Sequence, residues 1–181
     1  MLYVIAAPSG AGKTTIVNEI LKLNPGISFS VSATTRKKRK GESDGKDYFF
    51  FTKDEFREKI SRNELVEYEI IFNEDYYGTL KSFVEDNLKN DKSVIFDVDV
   101  KGALAIKNIY HEKARLIFIM PPDVETLKNR LKKRATESSE QINERINRVD
   151  LEIGKANDFD YIVVNDNLEQ AVSEVNKIIN S

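Results

Sequence analysis

"APSGAGKTT", Ala7 to Thr15, falls one residue short of the pattern G-x-x-x-x-G-K followed by Ser or Thr, because Ala7 stands where the first glycine belongs. In that pattern successive backbone N–H groups point inward at bound phosphates, the lysine reaches the outer phosphates, and the next hydroxyl ligates magnesium. Pro8, Ser9, Gly10, Ala11, Gly12, Lys13, Thr14 and Thr15 are therefore the expected phosphate-binding residues, with Thr14 also a metal ligand. A glycine-rich turn with a solvated lysine would read the same if the pattern stood alone. Here the apolar run "LYVIA" (Leu2 to Ala6) precedes it, and "TTIVNEILKL" follows with Ile16, Ile20 and Leu23 on one helical face. Strand, loop and helix form the setting in which a helix N-terminus receives an anion. Ala7 lies at the strand's exit, where a negative φ that alanine tolerates is expected; Gly10 and Gly12 face the tighter demand.

Three further apolar runs, "SVIFDVD" (Ser93 to Asp99), "RLIFIM" (Arg115 to Met120) and "YIVVN" (Tyr161 to Asn165), read as buried strands, each followed by a helical pattern. The alternation predicts an α/β fold: a parallel sheet flanked by helices. Asp97, at the end of one such strand, is placed to hold magnesium through water together with Thr14. Between the first helix and "SVIFDVD" the texture changes. "ISFSVSATTR", "DYFFF" and "LVEYEIIF" read as shorter, more exposed strands, with the helix "KDEFREKI" between the last two and a capping box of Thr52 and Glu55. This stretch is an inserted mixed-sheet subdomain. Farther on, "VETLKNRLKKRATESSEQINERINRVDLEIGKAN" reads as two charged helices broken near "ATESS", where Ser138 or Ser139 caps the second; such a pair is often a mobile flap.

With 181 residues the chain suits a single domain. The absence of cysteine excludes disulfides, thiolate metal sites and a thiol nucleophile, and suits a reducing, cytoplasmic setting. A net charge of -2 offers no global attraction to nucleic acid or anionic membrane, so phosphate recognition has to be local, and neither is an expected partner. No run approaches membrane-spanning length. His111, the only histidine, falls in a polar link and reads as a surface residue.

A phosphate loop does not name a reaction. The strongest local cluster is Arg36 to Lys40, five basic residues in succession, with Tyr48 shortly after. Guanidinium forks and a phenol suit a phosphate monoester, while a bare charge run equally suits a solvated patch or a nucleic-acid arm. The surrounding string, Ser30, Ser32, Thr34, Thr35, Arg36, Arg39, Gly41, Glu42, Gly45, Asp47 and Tyr48, resembles the nucleotide-monophosphate-binding region of guanylate kinases, S-x-S-x-T-T-R-x-x-R-x-G-E-x-x-G-x-D-Y, at every specified position. The similarity continues through "NELVEYEIIFNEDYYGT", "VIFDVDVKG", "IMPP", "LKKRATES" and "YIVVND".

This resemblance implies a P-loop kinase core (residues 1–31, 80–122 and 156–181), a GMP-binding subdomain (residues 32–79) and a helical lid (residues 123–155). It implies transfer of a phosphoryl group from ATP to GMP, with magnesium, by a monomer or homodimer. Arg36, Arg39, Tyr48 and Tyr77 would hold the GMP phosphate, and Ser32, Glu67, Thr79 and Asp99 would surround the guanine. Guanine presents N1–H and N2–H₂ donors that a carboxylate accepts and an O6 that a hydroxyl can meet, and adenine lacks the N1–H. Lys13, Arg134 and Arg145 would stabilise the moving phosphoryl group, with Arg130 and Arg148 as lesser candidates, and Asn165 would lie near the adenine. Two positions depart from the usual pattern: Ala7, and Lys101 where many members have glutamine. The alternatives are a non-catalytic phosphopeptide-binding module of the same fold and a kinase of another small phosphate.

Overall fold

The computed structural model describes residues 1–71, 74–123, 125, 127 and 149–181. Its centre is a five-stranded parallel sheet in the order β2-β7-β1-β8-β9, built from β1 (Leu2–Ala6), β2 (Ser28–Phe29), β7 (Val94–Asp97), β8 (Ala114–Met120) and β9 (Tyr161–Val164). Every residue of β1 is buried. Tyr3 and Ile5 join one core with Ile16 and Ile20, whereas Leu2, Val4 and Ala6 join the other with Phe96, Phe118 and Ile106. That two-residue alternation, apolar on both sides, is what a strand covered by helices on both faces requires.

On the first face lie α1 (Lys13–Leu23) and α5 (Leu168–Ile179), the latter through Ala171, Val172, Val175 and Ile179. The hydroxyl of buried Tyr3 donates to the Ile179 carbonyl (2.7 Å) and pins the end of α5. On the other face, α4 (Val100–Tyr110) contributes Val100, Ala103 and Ile106, and α3 (Lys81–Lys89) contributes Val84. Because β1 and β7 pair in parallel with Ile5 opposite Asp97, the loop after β1 and the carboxylate ending β7 emerge side by side. The carboxyl edge of an open α/β sheet is where ligands bind.

A second sheet, in the order β4-β3-β6-β5, comprises β3 (Ala33–Thr34), β4 (Phe49–Phe50), β5 (Leu65–Ile71) and β6 (Asp75–Leu80). Its β3–β4 pair is parallel and its other pairs are antiparallel. Its small core is Ala33, Leu65 and Phe56 from α2 (Lys53–Ser61). The expected capping box starts α2: the Glu55 N–H donates to the Thr52 hydroxyl (3.2 Å), and the Thr52 N–H donates back to the Glu55 carboxylate (2.7 Å).

Sequence reading differs from the structure in four details. β9, read as a buried strand, buries Val163 but leaves Tyr161, Ile162 and Val164 exposed, because it lies at the edge of the parallel sheet. "ISFSVSATTR" is divided between the two sheets, β2 entering the parallel one and β3 the mixed one. β7 ends at Asp97, and Asp99, read as the strand's last residue, instead caps α4 by accepting from the Gly102 N–H (2.7 Å). The strand β6 had no apolar run to announce it: Asp75, Tyr76, Tyr77, Gly78 and Thr79 pair along β5 because backbone ladders tolerate side chains that a hydropathy pattern does not flag. The helical pair expected over residues 123–155, with its capping serines, lies for the most part outside the described residues. Among the described residues no helix is long and apolar enough to cross a membrane.

Candidate active site

The loop from Ala7 to Gly12 turns the chain from β1 into α1 through two left-handed glycines, Gly10 and Gly12, both at φ 90°. Ala7 is buried and is not among the residues with positive φ, so the missing first glycine falls where the backbone does not need one. Gly12 precedes the first helical residue, with no side chain capping α1 and no acid in its first turn. The first N–H groups of a helix have no partner inside it, so this end presents donors and the positive end of the helix dipole to an anion. Gly12 is needed for a second reason: a β-carbon there would come within 2.4 Å of the Asn165 side-chain nitrogen. Asn165, buried just after β9, donates that nitrogen's hydrogen to the Ala11 carbonyl (2.7 Å) and so braces the loop from behind.

Across the loop, Lys13 Nζ lies 2.7 Å from Asp97 Oδ1 and donates to the Val98 carbonyl, while the Thr14 hydroxyl donates to Asp97 Oδ2 (2.9 Å). A hydroxyl and a carboxylate side by side are hard oxygen donors of the kind magnesium takes. Among the described residues no three or more acidic or imidazole side chains are arranged to hold a metal ion together. Such a sparse set suits an ion that keeps its waters and shares phosphate oxygens rather than one caged by protein.

A cleft opens from this loop toward the second sheet, bordered by Lys13 and Asp97 at one end and by Ser32, Tyr48, Glu67, Glu69, Tyr77 and Asp99 along its walls. At the deep end the Thr79 hydroxyl, almost fully buried, donates to Glu67 Oε1 (2.7 Å). A β-carbon on Gly102 would lie 3.2 Å from both Asp99 Oδ1 and Glu67 Oε2, which shows how closely the two carboxylates converge on the start of α4. Burial pushes the Glu67 pKa up to about 7; the Thr79 hydrogen bond works against this, and the charge of Asp99 adds to it. Gly78, between Tyr77 and Thr79, leaves room for the Glu67 carbonyl, which a β-carbon would meet at 2.6 Å.

Beside the cleft's Tyr48, the Arg36 guanidinium makes a two-pronged contact with Glu42 (2.7 and 3.1 Å) and lies 5.2 Å from the Tyr48 ring centre. Glu42 also accepts from the Arg39 N–H (2.7 Å), and these bonds hold its carboxyl below the usual carboxylate range. Tyr48 meets Tyr77 edge-on, ring centres 6.1 Å apart, and burial raises its phenol pKa. Glu42 was part of the sequence string without a role, and its role is to aim Arg36 and shape the Arg39 turn. Arg39 itself is exposed, with only its backbone engaged by Glu42.

The structure thus gathers Lys13, Thr14, Asp97 and Asn165 around one loop, and Ser32, Tyr48, Glu67, Tyr77, Thr79 and Asp99 around the adjoining cleft, with Arg36 against Tyr48. Arg130, Arg134, Arg145 and Arg148 lie outside the described residues. Two participants carried no sequence signal: the Asn165 bond to Ala11, which joins positions 154 apart, and Glu69, which shares a wall with Glu67 because alternate strand residues face one side.

The family model described as "Guanylate kinase" matches residues 1–181. The chain belongs to the guanylate kinase family. A curated guanylate kinase of Porphyromonas gingivalis is 48% identical over 181 residues, covering 98% of this chain and 95% of that protein. The guanylate kinase of Thermotoga maritima is 45% identical over 180 residues, covering 99% and 86% respectively. Among solved structures, a crystal structure of guanylate kinase from Anaplasma phagocytophilum superposes with a TM-score of 0.79 at 32% identity, covering 99% of this chain and 84% of that one. Membership in the guanylate kinase family makes the chain an enzyme, a nucleoside monophosphate kinase.

Proposed function

We propose that the enzyme transfers the γ-phosphoryl group of ATP to GMP, giving ADP and GDP, with the donor on the loop from Ala7 to Thr15 and the acceptor in the cleft toward the second sheet. The observation that carries this reading is the continuity of one cleft from Lys13 and Asp97 to Glu67 and Asp99, with family membership naming the reaction. The loop's N–H groups and Lys13 receive the donor phosphates, while Asn165 keeps the loop in shape on the side where the adenine is expected. Thr14 and Asp97 would hold magnesium, which supplies positive charge to the phosphate oxygens.

In the acceptor cleft, ionised Glu67 would accept from guanine N1–H and N2–H₂ and Asp99 from the remaining N2 hydrogen, with Ser32 or Thr79 meeting O6. Arg36, Arg39, Tyr48 and Tyr77 would hold the GMP phosphate. An oxygen of that phosphate attacks the γ-phosphorus in line as the bond to the ADP oxygen breaks. The attacking oxygen is already anionic, so no side chain need remove a proton. Lys13 offsets charge on the moving group, and Arg134 and Arg145 are proposed to join it when residues 123–155 close as a lid, excluding water. Residues 32–79 form the GMP-binding part of this scheme, residues 123–155 its lid, and residues 1–31, 80–122 and 156–181 its core. A cytoplasmic enzyme, monomeric or homodimeric and accepting dGMP as well as GMP, completes the proposal.

The test is a coupled assay of ADP formation with ATP, magnesium and each of GMP, AMP, UMP and dTMP. GMP should be the preferred acceptor; equal rates with all four would overturn the reading. Tight phosphopeptide binding without turnover would favour a non-catalytic module instead.

A further inference from the structure

β5 offers the cleft a third carboxylate. Its residues alternate, so Tyr68 and Ile70 face solvent (49% and 54% exposed) while Glu67 and Glu69 both line the cleft. The ladder to β6 orders this wall: Glu67 is opposite Thr79, and Glu69 is opposite Tyr77. The wall therefore passes in one strand step, about 7 Å, from the base-reading pair to a pair containing a phosphate-holding phenol. A nucleoside monophosphate laid along it has its ribose between those two ends. Glu69 lines the cleft at the Tyr77 end of that step, next to the ribose.

A carboxylate near a dianionic phosphate is repulsive unless a cation and suitable donors accompany it. The cation is present: Lys101 Nζ, in the first turn of α4, lies 3.7 Å from Glu69 Oε1. Suitable donors in the ligand are the ribose hydroxyls, since the phosphate and the ester oxygens offer none. We infer that Glu69, oriented by Lys101, accepts a hydrogen bond from the ribose 2′-hydroxyl of the acceptor nucleotide and is the residue by which this enzyme distinguishes GMP from dGMP. The inference rests on the GMP reading of the same cleft and adds sugar selection to base selection. It also accounts for the lysine at position 101, one of the two departures from the family pattern: a cation there holds the acidic partner that the ribose meets.

The experiment measures kcat/KM for GMP and dGMP with the wild-type enzyme and with Glu69→Ala, Glu69→Gln and Lys101→Ala, each checked for an unaltered thermal unfolding midpoint. A charge-assisted hydrogen bond at a half-buried site corresponds to about tenfold discrimination. Wild type should prefer GMP by about that factor, Glu69→Ala should bring the ratio near one, chiefly through the KM for GMP, and Glu69→Gln and Lys101→Ala should fall between. A 3′-deoxy analogue, which keeps the 2′-hydroxyl, should match GMP; a loss of about tenfold with that analogue and none with dGMP would put the contact on O3′ and overturn the inference. A wild-type ratio near one, or a Glu69→Ala enzyme whose ratio stays at the wild-type value while both rates drop together, would overturn the inference and leave the ion pair as a brace between β5 and α4. A wild type inactive on both nucleotides would instead fail the kinase reading, and this inference with it.

Discussion

Acidification should weaken GMP capture through one carboxyl group. Free Glu67 has a pKa of about 7 because it is buried beside Asp99, and guanine binding needs its ionised, acceptor-only form. The sign follows directly. A raised carboxyl pKa means that the empty cleft holds a proton below about pH 7, and that proton must leave before N1–H and N2–H₂ can be accepted. The ionised fraction is roughly nine-tenths at about pH 8 and roughly one-tenth at about pH 6, so kcat/KM for GMP, which reports the free enzyme's groups, should fall about tenfold from this source. GMP's own phosphate, a monoester with a second pKa near about 6, titrates in the same range. Glu67→Gln provides the control, because it keeps the phosphate's titration and removes the carboxyl's. The assay is the coupled spectrophotometric rate at limiting GMP and saturating ATP, at half-unit pH steps, for both proteins. Parallel profiles would refute the reasoning. So would a wild-type loss confined to kcat with KM unchanged, since the proton is lost on binding. The same variant should narrow the preference for GMP over AMP, as an amide offers guanine a donor where its N1–H requires an acceptor.

Two further outcomes follow from the donor loop. Lys13→Ala should lower kcat by about 10²–10³, the usual effect of removing one preorganised charge from a developing transition state, with little change in the KM for GMP, and steady-state kinetics check it. Gly12→Ala combines a left-handed backbone at φ 90° with a β-carbon 2.4 Å from Asn165 Nδ2. The strain of that conformation, about 1–2 kcal/mol, adds to about 1–3 kcal/mol for a buried Ala11 carbonyl deprived of its donor. Denaturant unfolding should show that loss together with a weakened affinity for ATP; unaltered values of both would refute the assigned role of the Asn165 brace.

Local chemistry made much of this protein legible from its chain. Short apolar runs alternating with helical periodicity are enough to specify a parallel sheet with helices on both faces, because a central strand such as β1 is buried whichever way its residues point, although the edge strand β9 is not. The loop glycines were readable for a similar reason: a tight turn from strand to helix with inward N–H groups tolerates few side chains, and Ala7 escapes that demand by sitting where φ stays negative. Thr52 and Glu55 announced the start of α2 three residues apart.

What tertiary structure alone decided lies in contacts between segments far apart in the chain. Only the β1–β7 register brings Asp97 to Lys13 and Thr14, and only the β5–β6 ladder sets Glu67 against Thr79 and Glu69 against Tyr77. The shift of Glu67 to about 7 is likewise absent from the sequence, because a carboxyl's proton affinity depends on burial and on the charges that the fold places beside it. Glu69 and Lys101, 32 positions apart, look like ordinary surface charges in the chain. A strand face and the first turn of a helix make them a pair at the wall of the acceptor cleft.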